Sequence, residues 1–220
     1  MKKNLLKRIY TSIILSLVLL TCLFLHKFSW LLLLIIASTI CFFEFKNIVK
    51  KIWKRKKNSI YFVNIISFIY LAIFTYTAFD IAKLGREEML YVLLVCIFSD
   101  IGGYTVGKSI GGKKLTKISP NKTISGTVGS FIFSLFPFIF LILLQEVDKI
   151  NFYTLFFITI ILSSVCQAGD LFISYFKRKS KIKDTGTLLP GHGGLLDRID
   201  GMIFAVPTIF MIELTGFLNI

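Results

Sequence analysis

Residues Phe28–Phe45 read FSWLLLLIIASTICFFEF, and Ile60–Ala82 read IYFVNIISFIYLAIFTYTAFDIA. Crossing the hydrocarbon of a bilayer takes roughly 20 apolar residues as a helix, with about 17–25 tolerated. Both stretches meet that length. Working outward from them, Ile9–Leu25, Met89–Ile110, Ser125–Gln145, Phe152–Gly169 and Gly201–Leu218 qualify or nearly so. The expected fold is all-α: a polytopic integral membrane helical bundle of about seven transmembrane helices. No internal repeat, low-complexity tract or soluble domain interrupts it, so residues 1–220 read as a single membrane domain.

Composition agrees. Of 220 residues, 55% are hydrophobic and 17% charged, and the mean hydropathy is +0.77. A soluble domain carries about 45–50% apolar and about 25% charged residues. No interior of this size hides the excess, so lipid takes it. The cysteines, Cys22, Cys41, Cys96 and Cys166, lie in apolar runs without CxxC spacing, which argues against a disulfide framework or a thiolate metal site. The start, MKKNLLKRIYTSIILSLVLLTC, mimics a secretory signal but lacks a small-residue cleavage site. It reads as a retained transmembrane helix.

Lysine and arginine set the expected orientation. With a cytoplasmic N-terminus, the inside segments 1–8, 46–59, 108–124 and 170–200 hold 22 of the 26 basic residues, and only Lys27, Lys83, Arg86 and Lys149 fall outside. Seven helices then leave the C-terminus outside. The net charge of +14 thus lies on one membrane face. A polytopic chain makes nucleic acid an unsuitable partner; Lys46, Lys50, Lys51, Lys54, Arg55, Lys56 and Lys57 suit anionic membrane lipid or simply fix topology.

Two polar segments, 99–130 and 169–201, carry the chemistry. The second begins GDLFISYFKRKSKIKDTGTLLPGHGGLLDRIDG. Helix six is expected to continue past Asp170, which puts Asp170, Ser174 and Lys177 on one stripe with Arg178 beside them. Polar side chains near a membrane are costly unless they face a ligand or a wet cavity. Lys183 and Asp184 follow, then the turn Pro190-Gly191-His192-Gly193-Gly194, then Asp197-Arg198-Ile199-Asp200 opening the last helix. Glycines around His192 allow a ligand to approach the backbone, and a helix N-terminus offers N–H groups to a phosphate. Carboxylates beside those donors call for a hard cation between them, and Mg2+ needs only one or two. The bland readings are topology signals for the cations, an ordinary loop residue for His192 and a helix cap for Asp197.

In the first segment, Asp100 lies about twelve residues into helix four, an intramembrane carboxylate expected to face the bundle. Gly103 and Gly107 share its face and admit a neighbouring helix or a ligand. Gly102-Gly-Tyr-Thr-Val-Gly107-Lys108-Ser109 matches the Walker A pattern letter for letter, but that loop follows a strand, and here an apolar spanning run precedes it.

The stretch Ser174-Tyr-Phe-Lys177-Arg178, then Lys183-Asp184, Gly186, Leu189-Pro190, His192-Gly193-Gly194-Leu195 and Asp197-Arg198-Ile199-Asp200 resembles the signature of the phosphatidate cytidylyltransferases. Asp100-Ile-Gly102-Gly103-Tyr104 and Ser119-Pro120-Asn121-Lys122-Thr123 resemble two further elements of that family. The chain departs from it at Ile173 and at Ser125 or Gly126, where many bacterial members carry glutamate, and it is shorter than typical members. The resemblance implies transfer of a cytidylyl group from CTP to phosphatidic acid with release of pyrophosphate, in phospholipid biosynthesis at the cell membrane. For that reaction the expected roles put Mg2+ on Asp170 and Asp197, with Asp184 and Asp200 supporting, and leave open a second, monovalent cation such as K+. Lys177, Arg178, Lys183 and Arg198 would neutralise phosphate charge, Ser174 would bond a phosphate oxygen, and His192 would shape the nucleotide pocket with Gly193 and Gly194. Asp100, Tyr104, Ser119, Lys122 and Thr123 would contact substrate. The family's helical membrane fold can pair as a homodimer.

Other readings are weaker. Asp197-Arg-Ile-Asp200-Gly201 echoes a CDP-alcohol phosphotransferase, which needs two more aspartates, and none follows Asp200. A transporter coupled through Asp100 lacks an inverted repeat, and an inactive homologue would account for the missing glutamates.

Overall fold

The computed structural model describes residues 2–116, 118–144, 152–191 and 193–215. Its elements are α1 (Lys2–Leu25), α2 (Lys27–Ile52), α3 (Lys57–Leu84), α4 (Arg86–Ile110), α5 (Ile124–Leu143), α6 (Phe152–Lys179), α7 (Leu196–Ile199) and α8 (Met202–Leu214). Among the described residues no strand forms; two isolated bridges, Lys114 with Thr123 and Leu189 with Gly193, close loops. Each expected apolar run coincides with a helix over nearly all of its described residues, with Leu144, Gly201 and Thr215 falling in turns. Five helices, α2 to α6, are long and apolar enough to cross a membrane, whereas the apolar parts Tyr10–Leu25 of α1 and Met202–Leu214 of α8 are shorter. Bulky apolar side chains face outward along them, among them Leu32, Phe62, Phe68 and Ile132, each more than half exposed. A multi-pass membrane protein follows from those five helices and that surface.

Boundaries depart from expectation where polar residues favour helix. The basic segment 46–59 is helical except around Trp53–Lys56, because lysine is a good helix former. Only His26 separates α1 from α2; it accepts from Phe28 N–H through Nδ1, while Ser29 Oγ accepts from His26 N–H, satisfying donors the helix start leaves open. α4 ends at Gly111 and Gly112, whose φ of +64° and +101° an L side chain resists.

The described residues divide into two compact units. One holds Met1–Arg86 with Tyr175–Asp200, the other Glu87–Ser174 with Gly201–Ile220. In the first, α2 and α3 are tied by Ser38 and Thr75 hydroxyls at 2.7 Å and by Trp30 Nε1–H donating to Ala78 O at 3.1 Å. In the second, Ser99 meets Ser163 at 2.9 Å and Tyr91 meets Thr159 at 2.5 Å between α4 and α6. A Cβ at Gly129 would meet Val106 Cβ at 2.5 Å and Gly102 O at 2.7 Å, and one at Gly107 would meet Thr123 Oγ1 at 3.0 Å. The glycines of α4 therefore serve the approach of α5, as small residues do between membrane helices.

Candidate active site

The loop from Ile182 to Leu195 is organised by two carboxylates. Asp197, whose side chain is 5% exposed, takes Lys177 Nζ on Oδ1 at 2.7 Å. Its Oδ2 accepts from Thr185 N–H at 2.7 Å and Gly194 N–H at 3.1 Å, and lies 3.0 Å from Thr185 Oγ1, whose single proton it shares with Glu44. Burial pushes the Asp197 carboxyl up, but Lys177 and the N–H groups of Thr185 and Gly194 outweigh it and hold the carboxyl below its usual value. The bland reading of Asp197 as a helix cap falls short of this: Asp197 gathers the loop around itself.

Glu44 is the second carboxylate, and no sequence argument selected it. Buried on α2, it accepts from Thr185 Oγ1–H at 2.7 Å, Leu195 N–H at 3.0 Å and Leu196 N–H at 2.9 Å. The N–H groups at the start of α7, expected to meet a phosphate, are therefore occupied by a protein carboxylate. Two glycines make the room: a Cβ at Gly186 would meet Glu44 Oε1 at 2.6 Å, and one at Gly194 would collide with Thr185 Oγ1 and Glu44 Oε2. Gly194 accordingly packs on Glu44, and Gly193 is the glycine of that pair that lines the neighbouring cavity. The available signal was a lone acid inside the apolar run Phe28–Phe45.

Beside this node lies a cavity of about 490 Å3 lined by Lys183, Asp184, Gly186, Thr187, Leu189, Pro190, Gly191, Gly193 and Arg198. The bridge between Leu189 and Gly193, with N–H···O distances of 2.9 and 3.2 Å, shapes its rim, and Gly191 and Gly193 adopt φ of +78° and +86°. Lys183, Asp184 and Arg198 are exposed there. Arg178 is exposed and reaches Ile182 O at 3.4 Å. His192 lies outside the described residues. Asp200 is buried, 7% exposed, so it faces packing and not the cavity.

The other unit contains a separate pair. Lys122 Nζ meets Asp170 Oδ2 at 2.5 Å, and Ser174 Oγ donates to Asp170 Oδ1 at 3.3 Å. α6 does continue past Asp170 as expected, with Ser174 one turn on. Thr123 Oγ1 accepts from Gly126 N–H at 3.0 Å and caps α5. Ser119 O accepts from Lys122 N–H at 3.0 Å, a turn that aims the lysine. Ile173, at a family glutamate position, is buried; Ser125, at the other, bonds Gly111 O. Asp100 is exposed on α4 and does not face the packing, a correction: Ser99 and Gly102 take the buried face, and Asp100 is turned about 100° from Ser99. Tyr104 is exposed, with Lys108 Nζ 5.5 Å from its ring centroid. Residues 102–110 are helical, so the Walker A match forms no phosphate loop.

No group of three or more His, Cys, Asp or Glu side chains is poised around a metal among the described residues. Mg2+ needs fewer, since phosphates and water complete its octahedron. Asp170 fits: its side chain is 26% exposed, and among the described residues Oδ1 takes the long Ser174 contact at 3.3 Å. Asp197 has its Oδ2 filled by two N–H donors and the shared Thr185 hydroxyl, and on Oδ1 a lone pair remains beyond Lys177. In each case an ammonium already neutralises the carboxylate, as a bound cation would.

Comparison with known proteins gives consistent results. The Cytidylyltransferase family matches residues 49–215. Proteins named phosphatidate cytidylyltransferase are 45% identical over 127 residues in Staphylococcus haemolyticus, covering 57% of this chain and 48% of that protein. In Staphylococcus saprophyticus the identity is 40% over 147 residues, 66% and 56% of the two chains, and in Bacillus subtilis 36% over 148 residues, 66% and 55%. The chain spans about half the length of the curated relatives it matches. Glu44 lies ahead of the family match. With that match covering most of its length, and the matched motifs forming a cation-lined cavity and two charge-paired aspartates, the chain belongs to the Cytidylyltransferase family.

Proposed function

We propose that the chain is a phosphatidate cytidylyltransferase, converting CTP and phosphatidic acid to CDP-diacylglycerol and pyrophosphate. The observation that supports it most is the cavity bearing Lys183, Arg198 and an exposed Asp184 beside Gly191 and Gly193. Two cations suit a triphosphate. Asp184 makes no hydrogen bond or ion pair with the described residues, and so supplies an acceptor for a nucleoside amino or hydroxyl group.

A phosphatidate oxygen attacks the α-phosphorus of CTP, the bond to the bridging oxygen of the β-phosphate breaks, and pyrophosphate leaves with that oxygen. The nucleophile is already anionic, so general-base help is unnecessary, and positioned cations lower the barrier as charge develops. Lys183 and Arg198 hold leaving-group oxygens. Lys122, aimed by the Ser119 turn, and Ser174 are donors for phosphate oxygens around Asp170. Asp170, or Asp197 in its own unit, would hold Mg2+, which would supply Lewis-acid polarisation of a phosphate.

In this reading all seven apolar helices cross the cell membrane, with the N-terminus and the 170–200 segment cytoplasmic, where CTP is dissolved and phosphatidic acid is reached in the leaflet. The test is pyrophosphate release by the purified protein. Release should require CTP, phosphatidic acid and Mg2+ together. Release that ignores phosphatidic acid, or none at all, overturns the proposal.

A further inference from the structure

A second cavity sits at the other ends of the helices. α1 ends at Leu25, α2 begins at Lys27, and α3 ends at Leu84 next to Arg86. Between them lies a space of about 280 Å3 with three cations, Lys27, Lys83 and Arg86, above an apolar floor of Leu23, Trp30 and Phe79. All belong to one compact unit. Along α2, Lys27 is roughly 25 Å from Glu44 at 1.5 Å per residue, so this cavity is distinct from the candidate active site.

Only four of the 26 basic residues lie outside the four basic segments, and three of them meet here. A mere marker of the polar end of a helix has no reason to converge on one cavity. The floor is fixed: Trp30 is 3% and Leu23 2% exposed, and the indole N–H is held by Ala78 O. The cations are only partly engaged. Arg86 Nη1 donates to Phe24 O at 2.5 Å, one of its five N–H donors. Lys83 is 54% exposed and its Nζ lies 3.8 Å from Asp80 Oδ1. Lys27 lies 5.6 Å from the Phe28 ring centroid.

Three cations over a greasy floor suit an anion attached to an apolar chain. A free inorganic anion would make no use of Leu23, Trp30 and Phe79. The volume equals that of about nine waters at their liquid share, enough for a phosphodiester and part of its glycerol. The acyl chains would continue onto the exposed apolar residues that flank the opening, Leu25, Phe28 and Leu84. We propose that this cavity binds the headgroup phosphate of an anionic phospholipid, in the leaflet opposite the candidate active site. The proposal does not depend on the assigned reaction.

Trp30 reports on it directly. The chain has two tryptophans, and W53F leaves Trp30 as the sole emitter. The full-length W53F protein is placed in phosphatidylcholine vesicles containing a fixed share of brominated phosphatidylglycerol or brominated phosphatidylcholine. Brominated phosphatidylglycerol should quench Trp30 more strongly, with a preference of about fivefold for each cation engaged. K27Q/K83Q, at two exposed positions, should reduce that preference by more than tenfold, and millimolar inorganic phosphate should leave it unchanged. Native mass spectrometry of the chain with its native Trp53 gives a second readout: retained phosphatidylglycerol in the parent protein, lost in K27Q/K83Q. Equal quenching by the two lipids, a preference untouched by K27Q/K83Q, or competition by phosphate each overturns the proposal.

Discussion

Glu44 contributes more to the loop than any single residue of the recognisable motifs except Asp197. Of its three donors, Leu195 N–H and Leu196 N–H would lose their acceptor with Glu44, whereas Thr185 Oγ1–H can turn to Asp197 Oδ2. Leaving buried donors unsatisfied costs about 1–3 kcal/mol each. E44A is therefore expected to destabilise the loop by roughly 2–5 kcal/mol and to speed tryptic cleavage after Lys181 or Lys183. Cleavage as slow as in the parent protein would show that the contacts carry little energy. Asp197 makes a pH prediction. Its carboxyl is held below the usual value by donors of the folded loop, so the stability it contributes is complete above the ordinary carboxylate pKa of about 3.9. That stability is lost as pH falls through the lowered folded value. Amide exchange at Thr185 and Gly194 should stay protected at pH 5 and open in that acid range, and D197N should open it at neutral pH. At Asp170, which pairs with Lys122 and Ser174, D170N is expected to lower turnover by about a hundredfold or more with insertion unchanged.

At the scale of elements, the packing of α4 on α5 is decided by glycines, and its prediction concerns a sign. Alanine in place of an uncrowded helical glycine stabilises by up to about 1 kcal/mol. At Gly129 the added Cβ meets Val106 and the Gly102 carbonyl, so G129A should instead destabilise by about 1–3 kcal/mol, read as a lowered melting temperature in detergent. Elements were legible from sequence because an apolar run of twenty residues has few alternatives to a helix, and the continuation of α6 past Asp170 followed from its helix formers. Less legible was what each polar residue does. Asp100 was expected inside the bundle, yet a step of 100° from Ser99 puts it on the exposed side. The donors at the start of α7 invited a phosphate, but the acid that fills them lies about 150 residues earlier. No local pattern links positions so far apart; only the folded chain brings them together. The same holds for Lys122 and Asp170.

For the whole molecule, the distribution of charge predicts orientation. Most lysines and arginines gather in segments 1–8, 46–59, 108–124 and 170–200. A cysteine introduced at Lys56 should react with a membrane-impermeant maleimide only in inside-out vesicles, and one at Lys83 only in right-side-out vesicles. The same side for both would contradict the arrangement. The central claim, that the chain transfers a cytidylyl group to a lipid, is tested most directly by following α-labelled CTP. Purified protein with phosphatidic acid and Mg2+ should move the label into the organic phase as CDP-diacylglycerol, and K183Q/R198Q should raise the KM for CTP about tenfold or more. Label that stays in the aqueous phase with the parent protein, under conditions where it is folded and membrane-inserted, would contradict the account.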